Sequence, residues 1–143
     1  MTGAPEVLLL EDNEADVELL REALKAGGWR HRLTVVQDGE AGLDRLLRRQ
    51  GHADARRPDL ILMDLNLPRR SGREVLAEIK GDPALSAVPV VVFSGSPWER
   101  DSLAALGVPA DRYIVKPRTF AGFLDAAKRI EEIWRSATAG TGA

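Results

Sequence analysis

Cysteine is absent from the chain. Without it there is no disulfide framework, no thiolate metal site and no thiol nucleophile, which suits a reducing compartment. Histidine is almost as scarce: only His31 and His52 occur, in polar loop regions with no second histidine at ligand spacing, so both are read as surface residues. Long apolar runs are missing too; stretches such as Val88 to Phe93 are far too short to span a bilayer. The opening Met1-Thr2-Gly3-Ala4-Pro5-Glu6 has neither the basic flank nor the apolar run of a signal peptide, so a cytoplasmic protein without membrane attachment is expected. Nor does one sign of charge dominate. Twenty basic residues against 22 acidic ones leave a formal net charge of −2, and no global field draws the chain to nucleic acid or an anionic membrane. Arg48-Arg49 and Arg56-Arg57 lack interleaved aromatics and are read as a solvated loop, not a nucleic-acid patch.

What is present is enough apolar material for one ordinary core: 44% of 143 residues. One domain is expected over 5–135, with the small-residue stretch 136–143 as a flexible tail. Short runs rich in β-branched residues recur at Val7 to Leu10, Leu33 to Val36, Leu60 to Met63, Val90 to Phe93 and Tyr113 to Val115. They lack polar alternation, as strands covered on both faces do, and helical patterns lie between them. Helix starts are marked by Asn13, by Asp38 and by two expected capping boxes, Ser71 with Glu74 and Ser96 with Glu99, the second with Pro97 at the first helical position. Stops fall at Gly27-Gly28, Gly51, Gly81-Asp82-Pro83 and Gly107. Five strands alternating with five helices predict an α/β, flavodoxin-like doubly wound parallel sheet of order 2-1-3-4-5, with its site beyond the carboxyl ends of the strands.

Those ends carry Glu11-Asp12, Asp64, Ser94 and Lys116-Pro117. Three converging carboxylates repel, since two like charges ~4 Å apart cost about 4 kcal/mol at an intermediate dielectric. A divalent cation relieves this, and an all-oxygen donor set favours Mg²⁺ over Zn²⁺. A Mg²⁺ site is expected.

Four motifs appear in order on these strands: Leu10-Glu11-Asp12-Asn13, Leu62-Met63-Asp64-Leu65-Asn66-Leu67-Pro68 followed by Gly72, Phe93-Ser94-Gly95, and Tyr113-Ile114-Val115-Lys116-Pro117. From about Glu6 to about Trp134 the chain resembles the receiver domains of bacterial two-component response regulators. Glu14-Ala15-Asp16-Val17-Glu18-Leu19-Leu20 and Gly72-Arg73-Glu74-Val75-Leu76 are most similar to single-domain regulators associated with phytochrome-type histidine kinases. The resemblance implies that Asp64 is the phosphoacceptor, taking a phosphoryl group from a kinase phosphohistidine. It implies that Asp12 and Asp64 ligate Mg²⁺, that Glu11 holds a metal-bound water, and that the main-chain carbonyl of Asn66 is a further ligand. Lys116 and Ser94 would contact phosphoryl oxygens, Tyr113 would be the switch aromatic, and the bond before Pro117 would be cis. Phosphorylation would then shift a two-state equilibrium of the fourth helix and fifth strand. Taken singly, these residues have plainer readings: Glu11-Asp12 with Asn13 as a helix cap, Ser94 as a turn former, Lys116 as a solvated lysine, Tyr113 as a half-buried edge-strand residue.

Two departures from the commonest receiver pattern are Ser94 for threonine and Gly95 for alanine, which open the pocket to water and predict faster phosphoryl loss. Phe120, Phe123, Leu124, Ala127, Ile130 and Trp134 form one apolar stripe on the last helix. Ile133 falls outside it, which suggests a homodimer through the fourth helix, fifth strand and fifth helix, or else a helix end folded onto its own domain. Partners implied are a histidine kinase, with a bacteriophytochrome as the favoured type, and a histidine phosphotransfer protein as one downstream route. The protein is read as a non-enzyme that receives a phosphoryl group. The competing readings are a haloacid-dehalogenase-type Mg²⁺ phosphatase, which would carry its nucleophile in an Asp-x-Asp motif after the first strand, and a receiver-like module that binds partners without phosphorylation.

Overall fold

The computed structural model describes residues 3–141. Five strands, β1 (Glu6–Leu10), β2 (Arg32–Val36), β3 (Leu60–Met63), β4 (Val90–Ser94) and β5 (Tyr113–Val115), form one parallel sheet in the order β2-β1-β3-β4-β5. Helices α1 (Glu14–Ala26), α2 (Gly39–Leu46) and α3 (Gly72–Gly81) and a helical segment at Pro97–Leu106 supply the crossovers, and α4 (Phe120–Thr141) follows β5. Among the described residues no helix is long and apolar enough to cross a membrane.

The uninterrupted apolar strands make sense once both faces are covered. Successive side chains point to opposite faces, so Leu8, Leu10, Ile61, Met63, Val90 and Val92 pack with Leu43 and Leu46 of α2 and Val75, Leu76 and Ile79 of α3. Val7, Leu9, Leu60, Leu62, Val91 and Phe93 meet Val17, Leu20 and Leu24 of α1 and Phe123, Ala127 and Ile130 of α4. Each fully buried leucine contributes about 1.5–3 kcal/mol through removal of apolar surface from water.

Asn13 and Asp38 cap α1 and α2 through side-chain oxygens that accept the backbone N–H groups of Asp16 and Ala41. The box at Ser71 and Glu74 is reciprocal, as expected. The one expected at Ser96 does not form: Ser96 accepts from the Trp98 N–H, while the Glu99 carboxylate turns to Arg73 at 3.0 Å. Pro97–Leu106 is wound as a 3₁₀ helix, ending at Gly107 in the left-handed region, φ 87°. Runs of this type are usually short because their hydrogen bonds are poorer. Arg73 brackets this segment to α3 by also donating to Ser102 Oγ at 2.7 Å.

The last helix differs from its predicted stripe. Phe120 is exposed, and Ala126 is buried in its place. Ile133 is not an exposed residue either: with Trp134 it is half-buried and packs on the core shared by α1 and α4. Trp134 meets Trp29 with ring centroids 5.6 Å apart, and Trp29 stacks on His31 at 5.0 Å, which makes His31 a half-buried packing residue. Where the composition predicts a tail from Ser136, α4 continues to Thr141, and the Thr138 hydroxyl donates back to the Trp134 carbonyl. Residues 142–143 lie outside the described residues. In the arginine-rich loop, Arg48 Nε donates to the Ala55 carbonyl, Arg49 pairs with Asp44 at 3.3 Å and Arg56 with Glu6 at 3.5 Å, so these charges serve intramolecular contacts.

Candidate functional site

Strand order decides which exits meet. β1 lies beside β3, and the ladder continues one residue past the strands, with Glu11 N–H donating to Val36 O at 3.0 Å and Asp64 N–H to Leu10 O at 3.0 Å. At the other side Lys116 N–H donates to Ser94 O at 2.8 Å. Four segments distant in sequence are thereby delivered to one end of the sheet with their backbones already satisfied.

Glycine is required at one flank of this end. A Cβ on Gly72 would lie 2.7 Å from Asp64 O and 2.7 Å from Leu65 Cα, so only a residue without a side chain lets the start of α3 approach the β3 exit. The Gly72 N–H then donates to Leu65 O at 2.9 Å and closes the loop.

Glu11, Asp12 and Asp64 each present a carboxylate oxygen within 4.8 Å of the others. Glu11 and Asp64 are buried; Asp12 faces solvent. Lys116 Nζ sits against three carboxylate oxygens, 2.8 Å each from Glu11 Oε1, Asp64 Oδ2 and Asp16 Oδ2. The second oxygens of the buried pair accept backbone N–H groups, Glu11 Oε2 from Asn13 and Asp64 Oδ1 from Asn66, both at 3.1 Å. Burial pushes the Glu11 carboxyl up to about 7, against the pull of the Lys116 hydrogen bond and with the nearby Asp64 charge adding to the rise. Burial also works against a charged Lys116, yet its bonds to Asp16, Asp64 and Glu11 outweigh that and hold the ammonium above the ordinary lysine range.

Ser94 is fully buried, and its hydroxyl has no well-aligned hydrogen-bond partner. Tyr113 beside it is buried, its hydroxyl donating to the Ser96 carbonyl, and burial raises the phenol above its ordinary value. Gly95 is exposed and has open space where a Cβ would stand. Among the described residues every peptide bond is trans, including that before Pro117; the inward placement of Lys116 comes from its three ion pairs.

The residues predicted from strand exits therefore converge: Glu11, Asp12, Asp64 and Lys116 cluster at the carboxyl end of the sheet, Ser94 and Tyr113 adjoin them, and Asn66 follows Asp64 in the same loop. Asp16 was not predicted. Its signal is weak, an acidic residue in the first turn of α1, where a part in the helix dipole is the ordinary reading. An all-oxygen donor set with one exposed and two buried carboxylates suits a hard divalent cation that keeps water ligands.

A parallel doubly wound sheet with carboxylates and a lysine gathered at its carboxyl edge is the arrangement that the resemblance to receiver domains implies. The response regulator receiver domain model matches residues 7–128, and the chain belongs to that family. It is 40% identical over 128 residues to response regulator Rcp1 of Synechocystis sp. (strain ATCC 27184 / PCC 6803 / Kazusa), covering 90% of this chain and 87% of that protein. The structure of the phosphorylated cyanobacterial phytochrome response regulator RcpA superposes with a TM-score of 0.84 at 43% identity, over 94% of this chain and 96% of that one. The Mn²⁺-bound form of Rcp1 superposes with a TM-score of 0.81 at 40% identity, over 91% and 94% of the two chains. The protein is thus a receiver domain related to the phytochrome response regulators.

Proposed function

We propose that this receiver accepts a phosphoryl group on Asp64 from the phosphohistidine of a phytochrome-type histidine kinase, in a Mg²⁺-dependent reaction. The observation that carries the reading is the pairing of a buried Asp64 with Lys116 Nζ at 2.8 Å inside a cluster with Glu11 and Asp12. An Asp64 carboxylate oxygen attacks phosphorus in line, the histidine N–P bond breaks with its electron pair going to the imidazole, and an acyl phosphate remains. Asp12, Asp64 and the Asn66 carbonyl would hold the cation, with Glu11 acting through a water. Bound there, Mg²⁺ supplies positive charge against the transferring group.

Lys116 offers its ammonium to a phosphoryl oxygen, and the buried Ser94 hydroxyl, without a well-aligned bond of its own, would donate to another. Tyr113, packed next to Ser94, transmits the rearrangement to the 3₁₀ segment through its bond to Ser96. That segment is the two-state element whose equilibrium phosphorylation biases. Similarity to RcpA and Rcp1 supports the choice of kinase type.

Incubating the protein with a small phosphodonor and Mg²⁺, then measuring intact mass, tests the reading. One added phosphoryl on the parent, absent from Asp64→Asn and from the EDTA-treated parent, is expected. Turnover of the donor without a stable adduct would favour a phosphatase. No adduct and no turnover would favour a phosphorylation-independent module.

A further inference from the structure

Asp16 sits in the first turn of α1, where an acidic residue ordinarily serves the helix dipole. Two details separate it from that role. The donor that a capping side chain at this position would accept, the Asn13 N–H, goes instead to Glu11 Oε2 at 3.1 Å, leaving the Asp16 side chain free of capping duty. The side chain instead turns inward, largely shielded at 23% exposure, to Lys116 Nζ at 2.8 Å, across 100 residues of sequence.

Lys116 has three N–H donors, and three carboxylates surround it at equal distance. Two of them, Glu11 and Asp64, belong to the cluster that would hold a divalent cation; Asp16 does not. An ammonium and a divalent ion cannot both draw fully on the same two carboxylates. A third anion outside the cluster changes the competition, because Lys116 keeps a charged partner when the cation takes its share of Glu11 and Asp64.

We infer that Asp16 is a positioning residue, the anchor that lets Lys116 yield Glu11 and Asp64 to the metal while staying beside the phosphoacceptor. The inference deepens the proposed function and rests on its metal requirement. Without Asp16, Lys116 leans wholly on the two carboxylates the cation needs and must be displaced from them.

Calorimetric titration of the whole protein with Mg²⁺ alone, and with Mn²⁺ alone, tests this as a double-mutant cycle on the parent, Asp16→Asn, Lys116→Ala and the double variant. Asp16→Asn is expected to weaken cation binding about three- to fivefold in the parent, the scale of a partly exposed ion pair, and by less than about twofold once Lys116 is gone. Asp16→Glu, which retains the charge, is expected to restore most of the affinity. Equal weakening in both backgrounds would mean that Asp16 acts only by its own charge and would overturn the inference, as would an unchanged affinity in Asp16→Asn. Thermal melts in EDTA check that each variant is folded. The phosphoryl adduct on Asp64 is measured separately, so loss of this inference and loss of the phosphoacceptor reading are distinct results.

Discussion

Lys116 Nζ and Asp64 Oδ2 lie 2.8 Å apart although 52 residues separate them in the chain. The pair joins the end of β3 to the end of β5, two strands with β4 between them. Neither strand ladder makes this contact; only the convergence of strand ends does. It is also where stability and function oppose each other, since the site gathers more negative charge than one ammonium balances.

Removing that ammonium should expose the imbalance. In EDTA, Lys116→Ala is expected to lose about 1–3 kcal/mol of folding stability, because buried Glu11 and Asp64 are left facing each other without a counter-charge. Saturating Mg²⁺ is expected to recover most of the loss. Urea denaturation with and without the ion measures both; a variant as stable as the parent in EDTA would show that the carboxylates are neutralised in another way.

The Glu11 carboxyl sits near its ordinary 4.5 in the unfolded chain and is pushed up to about 7 by burial in the fold. Between those values the native state binds more protons than the unfolded one, so metal-free stability is expected to fall as pH rises through that window and to level off above it. Cation binding, which needs the charged form, is expected to tighten over the same range. Urea midpoints in EDTA from about pH 4.5 to about pH 8 test the first statement. Glu11→Gln should flatten the profile, and a parent already flat would contradict the raised carboxyl.

Gly95 borders Ser94 and has open space in the direction of a side chain. Gly95→Ala should therefore fold normally while covering part of the pocket mouth, and slower loss of the phosphoryl group, by about two- to fivefold, is expected, well under one decade of rate. The decay of phosphorylated protein followed by intact mass decides this, and an unchanged rate would remove water access at residue 95 from the account.

Gly72 offers the opposite case. A methyl group there meets backbone on two sides of the β3 exit at 2.7 Å, and backbone cannot swing aside as a flexible side chain can. Gly72→Ala is expected to cost about 1–3 kcal/mol and to weaken Mg²⁺ binding as the Asp64 loop shifts. Melting temperature and calorimetric affinity should fall together; a stable variant with normal affinity would mean that α3 moves instead.

Ile133 packs against the domain's own core, so Ile133→Glu is expected to destabilise the fold by about 1–3 kcal/mol through burial of a charge, whatever the oligomeric state. Light scattering of parent and variant, with and without phosphorylation, separates the two effects. A variant as stable as the parent but lower in mass would restore the residue to a partner surface.

Much of this protein was written locally. Unbroken strands such as Leu60–Met63, caps at Asn13 and Ser71, and stops such as Gly107 report short-range physics, namely side-chain alternation, orphan helix N–H groups and left-handed backbone, and all can be read along the chain. The strand exits named Glu11, Asp12, Asp64, Ser94 and Lys116 for the same reason, because a doubly wound parallel sheet has one end at which its ligands gather.

Other features were decided only when distant segments met. Ser96 and Glu99 have the spacing of a capping box, but Arg73 of α3 competes for the carboxylate and wins it. Ile133 falls off its helical stripe, yet it packs on the core that α1 and α4 share. Asp16 resembles an ordinary first-turn acid until β5 brings an ammonium to it. In each case the deciding interaction is a charge or an apolar contact supplied by another element, and its strength depends on burial, which no local pattern encodes.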